Sequence, residues 1–414
     1  MIDNKIELEL VPMAPAAAAP NPPAAPAAPG ALPVPPAAAP AGPMATGLLA
    51  KLHEQRLEFT GTGAEYFRVW IVNTLLTLAT LGVYSAWAKR RKARWFARHT
   101  LLAGDSFDFH GDPRRILAGR VLALALLVCY GHAFEWSKGA GIAMLIVLYA
   151  CGPMLFAGAQ RFKLGNTSWR GVRFGFQASA PTTYLSCLPL LVAWTFVSVG
   201  AGLGLHPVLL GVAGLALSLL FPLAHGWLKR FQHRHARYGT LQFDFELPVR
   251  AFYGLYLRLI GVGLLAGLVA GVITAIGAGA LKAAAASGPA SQLAIFAPLA
   301  TMGVAWVIGW PVYIARLQKL IWDNTRLSGG IEFAYELPAL RLFKTLMGHG
   351  LLTVLTLGLY WPFLAVRIAR LRVEGMTVLS DEPLDTLVVK SGRGHGRGAA
   401  GDGVADAFGL DIGW

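Results

Sequence analysis

Charge is scarce in this chain of 414 residues. Only 14% are Asp, Glu, Lys or Arg, against 55% hydrophobic. An average soluble domain carries about 25% charged residues, and a soluble core could not absorb this apolar excess without exposing large patches. Acidic residues are rarer still: 22 against 36 basic, a net charge of +14. Cysteine is almost absent. Cys129, Cys151 and Cys187 each lie in an apolar run, without metal-ligand spacing and unable to pair off completely, so they read as small core hydrophobes. Catalytic signatures are missing too. There is no G-x-S-x-G and no P-loop, and His53-Glu54 lacks a second His four residues on. His233 and His235 flank Arg234 as a surface pair, and Asp105, Asp108 and Asp112 share a glycine-bearing loop with His110 as turn formers. The chain is therefore expected not to be an enzyme, with no catalytic residue, no metal ligand and no cofactor. Its first ten residues also lack the apolar core of a secretory signal peptide.

Long hydrophobic runs are what the chain has in place of charge. A helix needs about 20 apolar residues to cross the hydrocarbon. Eight candidate runs lie near 67–88, 116–136, 139–159, 183–203, 207–227, 254–279, 293–314 and 344–365. They are continuous, not the alternating decamers of a membrane-spanning barrel. Tyr66, Trp70, Tyr84 and Trp87 bracket the first, and Trp227, Trp310, Tyr313, Tyr360 and Trp361 mark other ends, as an aromatic belt does. Basic residues sort between the runs: five connecting segments hold 25 of the 36 Lys and Arg, while the other three hold Lys138 and Lys282. That asymmetry fits the positive-inside rule and not a nucleic-acid surface. The expected partners are the lipid bilayer and anionic headgroups on its cytoplasmic face, with no nucleic acid.

The basic segments share a short alternating stretch: Leu57-Glu-Phe59, Phe107-Asp-Phe109, Phe174-Gly-Phe176, Phe243-Asp-Phe245 and Phe333-Ala-Tyr335. Three follow a Thr start and a glycine turn, near Gly104, Gly171 and Gly329-Gly330, the pattern of a β-hairpin. Units at such intervals imply an array. The end units match most closely. Leu75-Leu76-Thr77 and the motif from Thr80 to Tyr84 return as Leu351-Leu352-Thr353 and the motif from Thr356 to Tyr360, at a constant offset of 276.

The expected fold is thus an all-α polytopic membrane protein. It has eight hydrophobic helical segments, six of them firm spans and two (67–88 and 344–365) either spanning or re-entrant, with repeated short cytoplasmic β-hairpins. Residues 1–50 read as a Pro/Ala-rich unfolded leader, 51–380 as the transmembrane domain and 381–414 as a flexible Gly-rich tail. If the two end segments are re-entrant, turning near Gly82 and Gly358, every basic segment and both termini stay on one side.

The stretches EFTGTGAEYFRVWIVN (58–73), TLATLGVYSAWAKRR (77–91) and FDFHGDP (107–113) resemble those of the YjgN-type family of bacterial inner-membrane proteins, over roughly residues 57–380. The resemblance implies a polytopic protein of the bacterial inner membrane and brings no activity. Polar groups within apolar runs are costly in lipid and carry a functional expectation. Asn73, Arg120, His132, Glu135, Arg258 and His349 are the candidates, with His225 beside them. Asn73 and His349 occupy matched positions of the two end units, while His132 and Glu135 form a candidate proton relay. Two functions follow: a transporter or channel for a small solute, or a membrane scaffold that binds a cytoplasmic partner or anionic headgroups.

Overall fold

Alternating bulky and polar residues bounded by tight turns make short strands, and long apolar runs make helices. The chain interleaves the two in pairs. The computed structural model describes residues 53–284 and 297–386. The Pro/Ala leader, all but the first six residues of the Gly-rich tail, and the start of the run at 293–314 lie outside the described residues. β1 (His53–Phe59) leads into α1 (Gly63–Ala79) and α2 (Ser85–Arg98). β2 (Thr100–Leu102) and β3 (Asp105–Phe109) lead into α3 (Pro113–Trp136) and α4 (Lys138–Gly165). β4 (Thr167–Trp169) and β5 (Val172–Phe176) precede α5 (Ala180–Gly202) and α6 (Pro207–Arg234). β6 (Ala236–Tyr238) and β7 (Leu241–Phe245) precede α7 (Ala251–Ala284) and α8 (Ala297–Trp322). β8 (Thr325–Leu327) and β9 (Ile331–Tyr335) precede α9 (Ala339–Leu355), α10 (Trp361–Glu374) and the last strand, β10 (Met376–Ser380).

The ten strands form one closed antiparallel barrel, in the order β1-β10-β9-β8-β7-β6-β5-β4-β3-β2. Chain ends meet at its seam, where Gln55 lies opposite Val378 and, on the other side of β1, Leu57 lies opposite Leu102. Closure removes every free edge. The turns Ala103-Gly104 and Arg170-Gly171 take positive φ at both positions, the hairpin geometry whose twist matches its strands.

This barrel overturns the all-α, eight-segment expectation. Its strands are three to seven residues long, too short to span a membrane, and they sit between the apolar runs. Among the described residues four helices are long and apolar enough to cross a bilayer: Pro113–Trp136, Lys138–Gly165, Pro207–Arg234 and the Ala251–Gly277 part of α7. The runs at 67–88 and 344–365 are not continuous helices. Each breaks, after Ala79 and after Leu355, in a turn where the Gly82 amide donates to the Thr77 carbonyl and the Gly358 amide to the Thr353 carbonyl, both at 2.7 Å. This is a Schellman closure, with a leucine in the left-handed position where glycine is usual.

Each helical pair leaves the barrel from one strand and returns to the next. The helices dock through the second aromatic of each strand motif. Phe59 meets Trp95 and Phe96, Phe109 meets Phe162, Phe176 meets Phe231, and Phe245 meets His233. Caps fix the starts: Thr62 and Glu65 form a capping box on α1, Asp112 caps α3 ahead of Pro113, and Ser137 and Ser179 cap α4 and α5.

Candidate ligand cavity

Eight strands make a barrel that side chains alone can fill, and wider ones enclose space. Here a cavity of about 950 Å³ runs from the barrel interior to the helices α1–α4. That is near the upper end of small-molecule sites. The barrel half is lined by the first residue of each strand motif, Leu57, Phe107, Phe174, Phe243 and Phe333, with Trp169, Tyr238 and Val378 beside them. Phe107 stacks on Phe174 at 6.3 Å and Phe243 on Phe333 at 5.9 Å. The Tyr238 hydroxyl donates to the Trp169 carbonyl at 3.0 Å, and burial pushes that hydroxyl up to about 12 despite nearby Arg170.

The helical half is different. Helical spacing turns Tyr66, Trp70, Asn73, Thr74 and Thr77 of α1 to the cavity, and Ser85, Ala88, Lys89, Lys92 and Phe96 of α2. Arg120 of α3, with Gln160 and Lys163 of α4, completes it. The lining therefore carries four cations, Lys89, Lys92, Arg120 and Lys163, with no carboxylate among the described residues that form it. Arg120 donates to the Ser85 hydroxyl at 2.6 Å, tying α3 to α2. Asn73 is 7% exposed, and its Oδ1 meets no donor among the described residues.

The other candidates lie elsewhere. Nδ1 of His349 shares a 3.0 Å hydrogen bond with the Tyr360 hydroxyl across the α9–α10 turn. His132 and Glu135 pair at 2.7 Å near the end of α3, both well exposed. Arg258 is exposed on α7, and His225 is buried against the Tyr256 hydroxyl at 3.0 Å. Gly82 and Gly358 sit in the two helical turns with φ of 93° and 92°. The loop acids are each engaged: Asp105 by Arg170, Asp108 by Arg94 and Arg98, Asp112 by the Arg114 amide. Sequence reasoning singled out Asn73 and Arg120. It did not single out Ser85, Lys89, Lys92, Gln160 or Lys163, having counted the lysines as loop charge. The signal was the i, i+3 spacing of Lys89 and Lys92 in line with Ser85 and Phe96.

The model of a family of bacterial proteins of unknown function, DUF898, matches residues 54–407. The inner membrane protein YjgN of Salmonella typhimurium is 29% identical over 177 residues, 41% of this chain and 43% of that one. The protein of the same name from Escherichia coli O157:H7 is 30% identical over 143 residues, 33% and 35%, and that of strain K12 is 31% identical over 127 residues, 29% and 31%. The chain thus spans less than half the length of these relatives. No solved structure matches it.

Proposed function

The chain belongs to this DUF898 family of bacterial inner-membrane proteins, and from its cavity we propose that it binds an anionic amphiphile. The observation that carries the reading is the lining: four cations, Lys89, Lys92, Arg120 and Lys163, gathered on the helical side, and an apolar wall with the stacked pairs Phe107–Phe174 and Phe243–Phe333 on the barrel side. Lys89, Arg120 and Lys163 are partly buried and Lys92 is exposed at the cavity, so an anion that enters meets their charge in a setting less screened than bulk water. The apolar wall offers the same molecule an apolar compartment.

The helical pairs support a placement for it. Three long pairs, α3–α4, α5–α6 and α7–α8, rise from the barrel and return to it, so the barrel lies on one side of the bilayer. The basic segments join helices to strands there, which makes that side cytoplasmic. The shorter α1–α2 and α9–α10 pairs enter and turn back. The whole reads as five repeated units around one barrel. Binding at such a site belongs to the class of headgroup-binding scaffolds rather than solute channels.

Trp70, Trp169 and Trp322 line the cavity, so intrinsic fluorescence reports occupancy. The full chain, purified in a non-ionic detergent, is titrated with dodecyl phosphate. Saturable binding is expected, and much weaker binding of zwitterionic dodecylphosphocholine. The Lys89→Ala/Lys92→Ala double variant should lose about tenfold or more, since each charge-assisted contact contributes ~1.5–3 kcal/mol. Unsaturable partitioning, or indifference to both substitutions, refutes the reading. Passage of the amphiphile across proteoliposomes bearing the protein would move it to transport.

A further inference from the structure

The two end helical pairs are copies in geometry but not in chemistry. α1 and α9 are both 17 residues long, α2 and α10 both 14, and every boundary keeps the offset of 276. Thr77 and Thr353 each donate to the carbonyl four residues back, that of Asn73 and of His349. In the second pair the polar side chain is closed off. His349 shares a hydrogen bond with Tyr360 and stacks on it at 5.6 Å. In the first pair the equivalent tyrosine, Tyr84, stacks on Trp87 at 6.2 Å, as Tyr360 also does on Phe363 at 5.0 Å, but Asn73 has no such closing partner among the described residues. Asn73 is left facing the cavity, 7% exposed, with Oδ1 meeting no donor among the described residues. The lysines differ in the same sense: Lys89 and Lys92 of the first pair correspond to Ala365 and Ile368 of the second.

An isolated acceptor this deep carries a desolvation cost that a donor would remove. An ammonium donor is disfavoured, because four cations already line the cavity and like charges repel. A hydroxyl carries no charge and meets the need. We infer that the ligand's polar head carries a hydroxyl beside its anionic group, that Asn73 reads this hydroxyl, and that Lys89 and Lys92 read the anion. This rests on the binding reading above and names the head-group class for that same cavity.

Two singly charged phosphodiesters with the same chain separate the two statements: dodecyl phosphoglycerol, which has the hydroxyls, and dodecyl methyl phosphate, which lacks them. The full chain in non-ionic detergent should bind the glycerol diester about five- to tenfold more tightly, the worth of one buried hydrogen bond. Asn73→Leu, which keeps the volume, should bring the two to equality by weakening the glycerol diester alone. If the unaltered protein binds both equally while both still need Lys89 and Lys92, the hydroxyl inference is overturned and the anion reading stands. If neither diester binds, or binding ignores the lysines, the anion reading fails and takes this inference with it.

Discussion

Leu81 and Leu357 stand 276 residues apart in the same uncommon backbone state, with φ of 49° and 51°, and their side chains are 96% and 95% exposed. A left-handed leucine costs roughly 1–2 kcal/mol. In water its exposed side chain would offset nothing. In hydrocarbon it is at home. Each tip ends a 17-residue arm, about 26 Å long at 1.5 Å per residue. The expectation is that both tips are immersed in lipid. A bimane label at position 81 or 357, in a chain whose three cysteines are replaced by alanine, should emit in the blue and be quenched by brominated lipid but not by iodide. Water-like emission from both would refute immersion.

Asp108 sets an acid limit on the barrel. Burial alone would raise its carboxyl, but the Arg98 guanidinium, the Phe109 amide at 2.8 Å and Arg94 hold it at about 2. An unfolded aspartate titrates near 3.9. A depressed folded value means the stabilisation is complete above about pH 4 and is lost as pH falls towards 2. Asp108→Asn should lower Tm by about 2–4 °C at neutral pH and flatten the dependence between pH 4 and 2. Thermal unfolding in detergent across that range checks it, and an unchanged acid slope would assign the limit to another group.

The first and last helical pairs touch through Gly63. A Cβ there would lie 2.5 Å from Cδ1 of Phe363, and Phe67 packs on the same ring at 5.9 Å. Arg370 donates to the Gly61 carbonyl nearby at 3.1 Å. Gly63→Leu should therefore cost about 1–3 kcal/mol through overpacking. A smaller Phe363 ought to recover part of that loss, so the Gly63→Leu/Phe363→Ala pair should be less destabilised than the two single changes summed. Simple additivity in denaturation would show that the contact is not shared.

Much of this architecture was legible, and what was hidden has identifiable causes. The hairpins around Gly104, Gly171 and Gly329-Gly330 announced themselves because tight turns demand glycine. The hairpin at Gly239 was half visible. β10 was invisible, because Met376–Ser380 contains no aromatic residue, unlike the other motifs, and pairs with β1 from more than 300 residues away. The all-α reading failed because a strand motif carries no mark of its partner, so nothing in the sequence showed that separate hairpins between long apolar runs close into one barrel. The break between α1 and α2 was hard to date to Leu81, since an apolar residue occupied the left-handed position. In the cavity, Asn73 stood out as a polar group in an apolar run. Lys89 and Lys92 did not, because counting charge by segment discards the face a residue occupies.

The seam of the barrel gives the last prediction. β10 is the one strand that joins β1 to β9: Val378 lies opposite Gln55 on one side and Phe333 on the other. Its side chain is 4% exposed and lines the cavity. Proline there removes an amide from the ladder and is tolerated only at edges, which this barrel does not have. Val378→Pro should open the seam and expose β1 and β9 as two edges, so that the purified protein associates instead of running as one species. Val378→Ala keeps the amide and should cost only about 1–2 kcal/mol, as loss of buried methyl groups does, leaving the elution profile intact. Size-exclusion chromatography in detergent, with amide hydrogen exchange on 53–59 and 331–335, distinguishes the outcomes. Protection in the proline variant equal to that of the unaltered chain would mean that closure through β10 does not hold the barrel together.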